Sequence, residues 1–323
     1  MRRIKSIIGL ILIAVLVMSG GANCLGTGLC RDYPISVSAA VSAPQNVSLS
    51  LKKSGSKMVA KASWSGSAPL YSYTIYNEDD FGGYSISEGT TSAKSVEYEF
   101  TNQKEGDVFT YGIKVSAYDY SGNTSKKVGK TKTYYMTGKN TKKIKKLVSK
   151  KTKGMSTFKK IKYAHDWIVK NYDYGNSSSN AAYTFAGTYK AKKGVCQGYT
   201  LTFQVFMKEM GIPVRCVIGN DHAWNLVKVG GKWYHIDCTW DDPVGLEDIT
   251  AKHPSYSFFL QSSKNIKKKG GSEHAFKASD YPKAKSTTYD NEGSLDGYKE
   301  SVPGNSRAYA NVTFHPWKNG KMI

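Results

Sequence analysis

From Asn46 onward the apolar positions recur at every second residue. Val47, Leu49 and Leu51 alternate with polar neighbours, then Met58, Ala60, Ala62 and Trp64, then Tyr71, Tyr73 and Ile75. The most regular run is Phe109, Tyr111, Ile113, Val115 and Ala117, which Asp119 breaks and the turn "SGN" follows. A period of two places such side chains on one face of a strand. Short strands of this kind with turn signals between them predict an antiparallel sandwich. The acidic group Glu78, Asp79 and Asp80, ahead of Gly82 and Gly83, is expected on a loop.

Further along, the period changes. Phe158, Ile161, Ala164, His165, Ile168 and Tyr172 recur at three- and four-residue steps, and Ser156 or Thr157 can cap the helix they predict. A second helix is expected from near Cys196 to Met210, stopped by Gly211 and Pro213. Its apolar residues Leu201, Phe203, Val205, Phe206 and Met210 lie on more than one face, so it should be buried centrally. Three strand candidates follow, "VRCVIG", "HAWNLVKV" and "KWYHIDCTW", the last two joined tightly through Gly230 and Gly231. Helices followed by an antiparallel meander give an α+β order.

At 323 residues the chain can hold two ordinary domains, and 40% hydrophobic with 22% charged residues excludes a disordered protein. Arg2, Arg3 and Lys5 precede an apolar run from Ile7 to Met18. That run is too short to span a bilayer and suits the core of a secretory signal, with cleavage expected after Ala22. A lipid-modified Cys24 is the rival reading. Export permits disulfides, but the five cysteines are an odd number and Cys196, Cys216 and Cys238 alone do not make a framework. Cys24 and Cys30 lie in the low-complexity start of the mature chain. The net charge of +21 would suggest nucleic acid, which export argues against. Eleven lysines and no acidic residue fall between Lys139 and Lys162. An anionic cell-surface polymer is the expected partner, and a solvated lysine face the plain alternative.

One cysteine stands where chemistry would want it. A nucleophilic thiol needs its pKa lowered from about 8.5 into roughly the 3.5 to 7.5 range, and a helix N-terminus helps. Cys196 opens the second helix, and its N–H could serve an oxyanion. Gly194 and Gly198 would leave room for substrate near the backbone. His222 opens the middle strand as a candidate base, and Asp237 on the neighbouring strand could hold that imidazole in one tautomer. Alternation puts Trp233, His235 and Asp237 on one face and Tyr234, Ile236 and Cys238 on the other, so Cys238 should point into the core. His235 is expected to be a neighbour rather than a participant, and Asp241 and Asp242 to be turn residues before Pro243. Each residue also has a structural explanation: Cys196 as a buried thiol, His222 as a satisfied core histidine, Asp237 as a turn cap. A zinc site from Cys196, His222, Asp237 and Cys238 lacks any CxxC or HxxxH spacing.

The segments "GVCQGYTLTF", "GNDHAWNLVKVGGKWYHIDCTWDDP" and "YSFFLQSS" resemble a bacterial member of the transglutaminase-like superfamily, over about residues 140 to 285. The resemblance implies a Cys–His–Asp triad at Cys196, His222 and Asp237, with chemistry like that of papain. The short spacing from cysteine to histidine excludes the papain branch itself. Tyr183, Gln197 and Trp224 are the candidate substrate contacts. Residues 44–136 resemble a fibronectin type III domain through Trp64 and the late strand ending "VSAYDYSGNTS".

The expected fold is α+β: a papain-like or transglutaminase-like core, with a central helix on an antiparallel sheet, preceded by an all-β immunoglobulin-like sandwich. The expected domains are a signal peptide at 1–22, a linker at 23–43, the sandwich at 44–136, the catalytic domain at 137–285 and a polar tail at 286–323. That tail is either a linker or carries one added strand at "AYANVTF". The expected protein is a secreted or cell-surface cysteine acyl-transfer enzyme acting on amide bonds of proteins or peptides, without cofactor or metal. The alternative is a non-catalytic surface protein that binds anionic wall polymer.

Overall fold

The computed structural model describes residues 40–54, 57–79, 82–100, 103–175, 180–242, 254–290, 317–318 and 321–322. The signal, most of the linker, Cys24, Cys30, Asp80, Pro243 and the strand candidate "AYANVTF" lie outside the described residues. Among the described residues no helix is long and apolar enough to cross a membrane.

Seven antiparallel strands come first: β1 (Gln45–Ser54), β2 (Lys57–Ser65), β3 (Leu70–Asp79), β4 (Gly82–Thr91), β5 (Ser95–Phe100), β6 (Val108–Tyr118) and β7 (Val128–Tyr135). They form one sheet in the order β1-β2-β5 and another in the order β4-β3-β6-β7. The period-two residues of both sheets meet in one core, where Trp64 packs on Tyr71 and Phe100 stacks on Tyr111. The period-two runs fall on β1, β2, β3 and β6. Glu78 and Asp79 correct the loop expectation, because they end β3 and pair across the hairpin with Gly83 and Gly82 of β4.

The lysine-rich stretch folds into α1 (Lys139–Lys151) and the start of α2 (Thr157–Asn171), the latter capped by Ser156. On α1, Thr141, Ile144 and Val148 are buried while the lysines face solvent, as an amphipathic helix requires. A parallel two-residue pair, β8 (Asp173–Tyr174) and β9 (Lys193–Gly194), brackets α3 (Phe185–Ala191). Then α4 (Cys196–Glu209) runs through the centre, buried from Gly198 to Met207. Helices α1, α2 and α3 pack around it, and an antiparallel sheet of β10 (Val214–Ile218), β11 (Ala223–Val229) and β12 (Lys232–Ile236) covers the remaining side. Gly230 and Gly231 turn β11 into β12 with φ of 56° and 78°, a left-handed pair that side chains rarely adopt. After β12 come α5 (Ser263–Gly270) and, further on, a short pair of β13 (Trp317–Lys318) with β14 (Lys321–Met322).

The strand and helix units are joined by specific contacts. Glu105, in the β5–β6 connection, accepts hydrogen bonds from the backbone N–H groups of Asn140 (2.5 Å) and Thr141 (2.7 Å) at the start of α1. Tyr135 at the end of β7 donates to Glu209 at the end of α4 (2.9 Å).

Candidate active site

Three chain segments converge at the N-terminal end of α4. Cys196 is the first helical residue and is half-buried, so its N–H belongs to the first turn, where no intrahelical acceptor exists. Thr200 locks that turn to the sheet, since its hydroxyl lies 2.8 Å from the carbonyl oxygens of both Cys196 and Ala223. Asn225 adds a second stitch, donating to the Thr200 carbonyl at 3.2 Å.

His222 sits one residue ahead of β11, delivered by a tight turn in which Gly219 N–H donates to His222 O (2.9 Å) and Asp221 takes a left-handed φ of 53°. Asp is among the few side chains that tolerate that conformation. The imidazole stacks on Trp224 at 5.7 Å and lies 5.9 Å from Trp240. Its Nε2 is 2.6 Å from Asp237 Oδ2, and the Cys196 side chain is near enough to raise its pKa. The carboxylate thus holds Nε2.

Asp237 follows β12 immediately, and its backbone N–H donates to Phe258 O (3.1 Å). Its Oδ1 accepts the N–H groups of Thr239 (2.9 Å) and Trp240 (3.2 Å), an Asx-type turn. Its Oδ2 accepts from His222 and also from His274 Nε2 at 2.9 Å. Burial alone would raise its pKa, but the charge and hydrogen bond of His222 and the hydrogen bond of His274 hold it well below the usual carboxylate range. Burial lowers His222, yet the charge and hydrogen bond of Asp237, then the Cys196 side chain, outweigh it and lift the imidazole to about 10.

The candidate substrate contacts separate. Tyr183 is 36% exposed at the end of the 3-10 turn Asn180–Tyr183, whose Ala182 carbonyl accepts from Val195 N–H beside Cys196. Gln197 is half-buried as the second residue of α4. Trp224 is only 1% exposed and donates through Nε1 to His235 Nδ1 (2.9 Å), so it backs the His222 ring and offers no face to a ligand. The two glycines also serve a different end from substrate approach. A Cβ on Gly194 would lie 2.6 Å from Thr188, and one on Gly198 2.1 Å from Thr188 Oγ1, so both glycines let α3 pack against the start of α4.

Cys238 is buried in the helix-side core and His235 on the opposite face, as alternation requires. Asp241 and Asp242 lie in a turn but are fully enclosed: Asp241 pairs with His165 Nε2 (3.0 Å), and Asp242 accepts from Tyr199 (2.5 Å). Burial pushes Asp242 up to about 7, with the Tyr199 bond opposing and Asp173 adding to the rise. His165 and His274 escape a reading by spacing. The one weak signal for His274 is that "HAF" repeats the pattern of "HAW" at His222.

His222 Nε2, Asp237 Oδ2 and His274 Nε2 lie within 4.8 Å of one another and could in principle hold a metal. Tetrahedral zinc with bonds of about 2.0–2.1 Å keeps its ligand atoms about 3.3 Å apart. The separations of 2.6 and 2.9 Å here are those of hydrogen bonds with a proton between the atoms.

Residues 143–238 match the family model of the transglutaminase-like superfamily, a span that includes Cys196, His222 and Asp237. No curated protein matches the chain. Among solved structures, one described as a TGase is 21% identical over 31% of this chain and 31% of that one, with a TM-score of 0.28. This chain therefore spans about a third of that protein's length. A candidate cysteine protease from Cytophaga hutchinsonii is 15% identical, covering 62% of this chain and 79% of that one, with a TM-score of 0.29. The fn3 domain of the human collagen alpha-1(XX) chain is 20% identical over 32% of this chain and 94% of its own, with a TM-score of 0.21.

Proposed function

We propose that this chain is an exported cysteine acyl-transfer enzyme that acts on amide groups of proteins or peptides through Cys196, His222 and Asp237. The observation that carries the reading is the thiol at a helix N-terminus beside His222, whose Nε2 lies 2.6 Å from Asp237 Oδ2. It lies inside the span that matches the transglutaminase-like model.

In this reading the proton shared between Cys196 and His222 rests on the imidazole, and the sulfur attacks the amide carbonyl carbon. The N–H of Cys196 faces the oxygen as negative charge develops there. As the tetrahedral adduct collapses, the C–N bond breaks and the imidazolium returns the proton to the departing amine. That leaves a thioester on Cys196. An amine resolves it to a new amide, or water resolves it to an acid, with His222 removing the incoming proton in either case. Asp237 orients the imidazole and stabilises the imidazolium.

Export is supported by the basic residues ahead of the apolar run Ile7–Met18. The fibronectin type III resemblance of the strand unit is supported by its three-plus-four division, with β4 beside β3 at a sheet edge. The lysines on the outer face of α1 fit an anionic cell-surface polymer. They are also what favours the second reading, a non-catalytic wall-binding protein.

Two measurements separate the readings. Iodoacetamide should alkylate Cys196 rapidly below neutral pH and leave buried Cys216 and Cys238 untouched. Cell-surface proteins incubated with a labelled primary amine should be modified by the wild type and not by Cys196→Ala. Equal incorporation by both proteins would exclude triad-dependent transfer.

A further inference from the structure

We propose that His274 is a positioning residue for the triad, a fixed N–H donor that the Gly270–Phe276 segment straps against Asp237. The proposal rests on the triad reading above and adds a fourth member to it.

The carboxylate of Asp237 has four donors, two on each oxygen, and His274 Nε2 shares Oδ2 with the catalytic imidazole. To donate there, His274 must carry a proton on Nε2, while its Nδ1 lies 3.4 Å from the Gly270 carbonyl oxygen, also an acceptor. The ring is fully buried, 4.6 Å from Trp224, 4.9 Å from Trp240 and stacked on Phe258 at 5.3 Å. Burial and the nearby His222 lower its pKa, against the charge and hydrogen bond of Asp237 and the Gly270 carbonyl, which raise it. The titratable groups facing this region are His222, Asp237 and His235 on the sheet side, Asp221 in the turn before β11, Glu273 in the strap, and Lys267 on α5.

Two glycines make the placement possible. A Cβ at Gly270 would lie 1.8 Å from His274 Nδ1, and one at Gly219 would lie 2.2 Å from the Glu273 carbonyl oxygen. Asn220 Nδ2 donates to Ser272 O at 3.0 Å, tying the strap to the same turn that delivers His222. One turn therefore positions both histidines that meet on Asp237. Rotation of the carboxylate, or protonation at Oδ2, would break its bond to this strap.

The experiment is the pH profile of iodoacetamide labelling at Cys196 in the full chain, with melting temperature recorded for each variant. His274→Gln places an amide N–H near the Nε2 position, whereas His274→Asn is too short to reach. Gly270→Ala displaces the ring without altering it. His274→Asn and Gly270→Ala should each slow labelling at pH 6 by about tenfold, the worth of one charge-assisted hydrogen bond. Both should move the acid limb to higher pH, because Asp237 protonates more easily without that donor. His274→Gln should stay within about threefold of wild type. A wild-type profile in His274→Asn, or an equal loss in the Asn and Gln variants, would overturn the role. If wild-type Cys196 itself labels no faster than a free thiol, the triad reading fails and this one with it, an outcome visible without any variant.

Discussion

Gly198→Ala tests whether the position of α4, more than the identity of its residues, sets the reactivity of Cys196. The added methyl would lie 2.1 Å from Thr188 Oγ1 and 2.5 Å from the Ala182 carbonyl oxygen, where ordinary contacts begin at 3.4 Å. Ala182 belongs to a turn whose carbonyl already accepts from Val195 N–H and Thr188 Oγ1, so the backbone there has little freedom to yield. Relief requires the first turn of α4 to retreat by about 1 Å, at an overpacking cost of about 1–3 kcal/mol. For a chain of this size that corresponds to a fall in Tm of several degrees, at roughly 2–4 °C per kcal/mol. A displacement of about 1 Å can cost about 10²-fold where geometry controls the reaction. We therefore expect alkylation of Cys196 at pH 6, read by mass spectrometry of its peptide, to fall by at least an order of magnitude. Thr188→Ala in the same chain removes the nearer contact and should recover part of the loss. A Gly198→Ala protein with unchanged Tm and labelling within twofold of wild type would refute the reasoning, and a double variant no better than the single would place the effect elsewhere.

Other consequences are open to measurement. Glu105→Ala removes the carboxylate that accepts from Asn140 and Thr141 at the start of α1, where the N-cap residue Gly138 has no side chain to do so. Urea denaturation should show a loss of about 2 kcal/mol, with Glu105→Gln losing less; a change under about 0.5 kcal/mol would contradict the capping role. Stability should also fall as pH rises through the alkaline range. The carboxylates of Asp166 and Asp241 outweigh burial to raise His165 to about 9, and Asp237 with Cys196 raises His222 to about 10. A raised histidine stabilises the fold fully below its unfolded pKa of about 6.5 and loses that contribution as pH passes its folded value. Urea midpoints measured from pH 6.5 to 10 should therefore decline, and a flat or rising series would exclude these pairings.

How much of this was legible depended on the range of the interaction. Strands β1, β2, β3 and β6 show their period because one face is buried and the other wet, and α2 shows both its cap and its stripe. By contrast, α5 has Ile266 as its one buried apolar side chain, which leaves no periodic signal. The lysine run hid α1, although Ile144 and Val148 stand one turn apart beneath it. Cys196, His222 and Asp237 each sit at the end of a regular element, α4, β11 or β12, that the local pattern already marked. Trp224 misled for a physical reason: strand alternation gives the face it shares with His222, but only packing decides whether that face meets solvent.

By itself, the sequence determined which segments become strands and helices, where the thiol meets a helix N-terminus, and which histidine and aspartate lie at neighbouring ends of the sheet. These follow from periodicity, capping and turn chemistry, all of which act over a few residues. Tertiary structure alone decided that Gly194 and Gly198 yield space to Thr188, that Asp241 and Asp242 are enclosed, and that Glu105 caps a helix in another part of the chain. It also brought His274 to the second lone pair of Asp237 Oδ2. Such contacts join residues distant in sequence, and no local pattern carries a record of which backbone will approach which side chain.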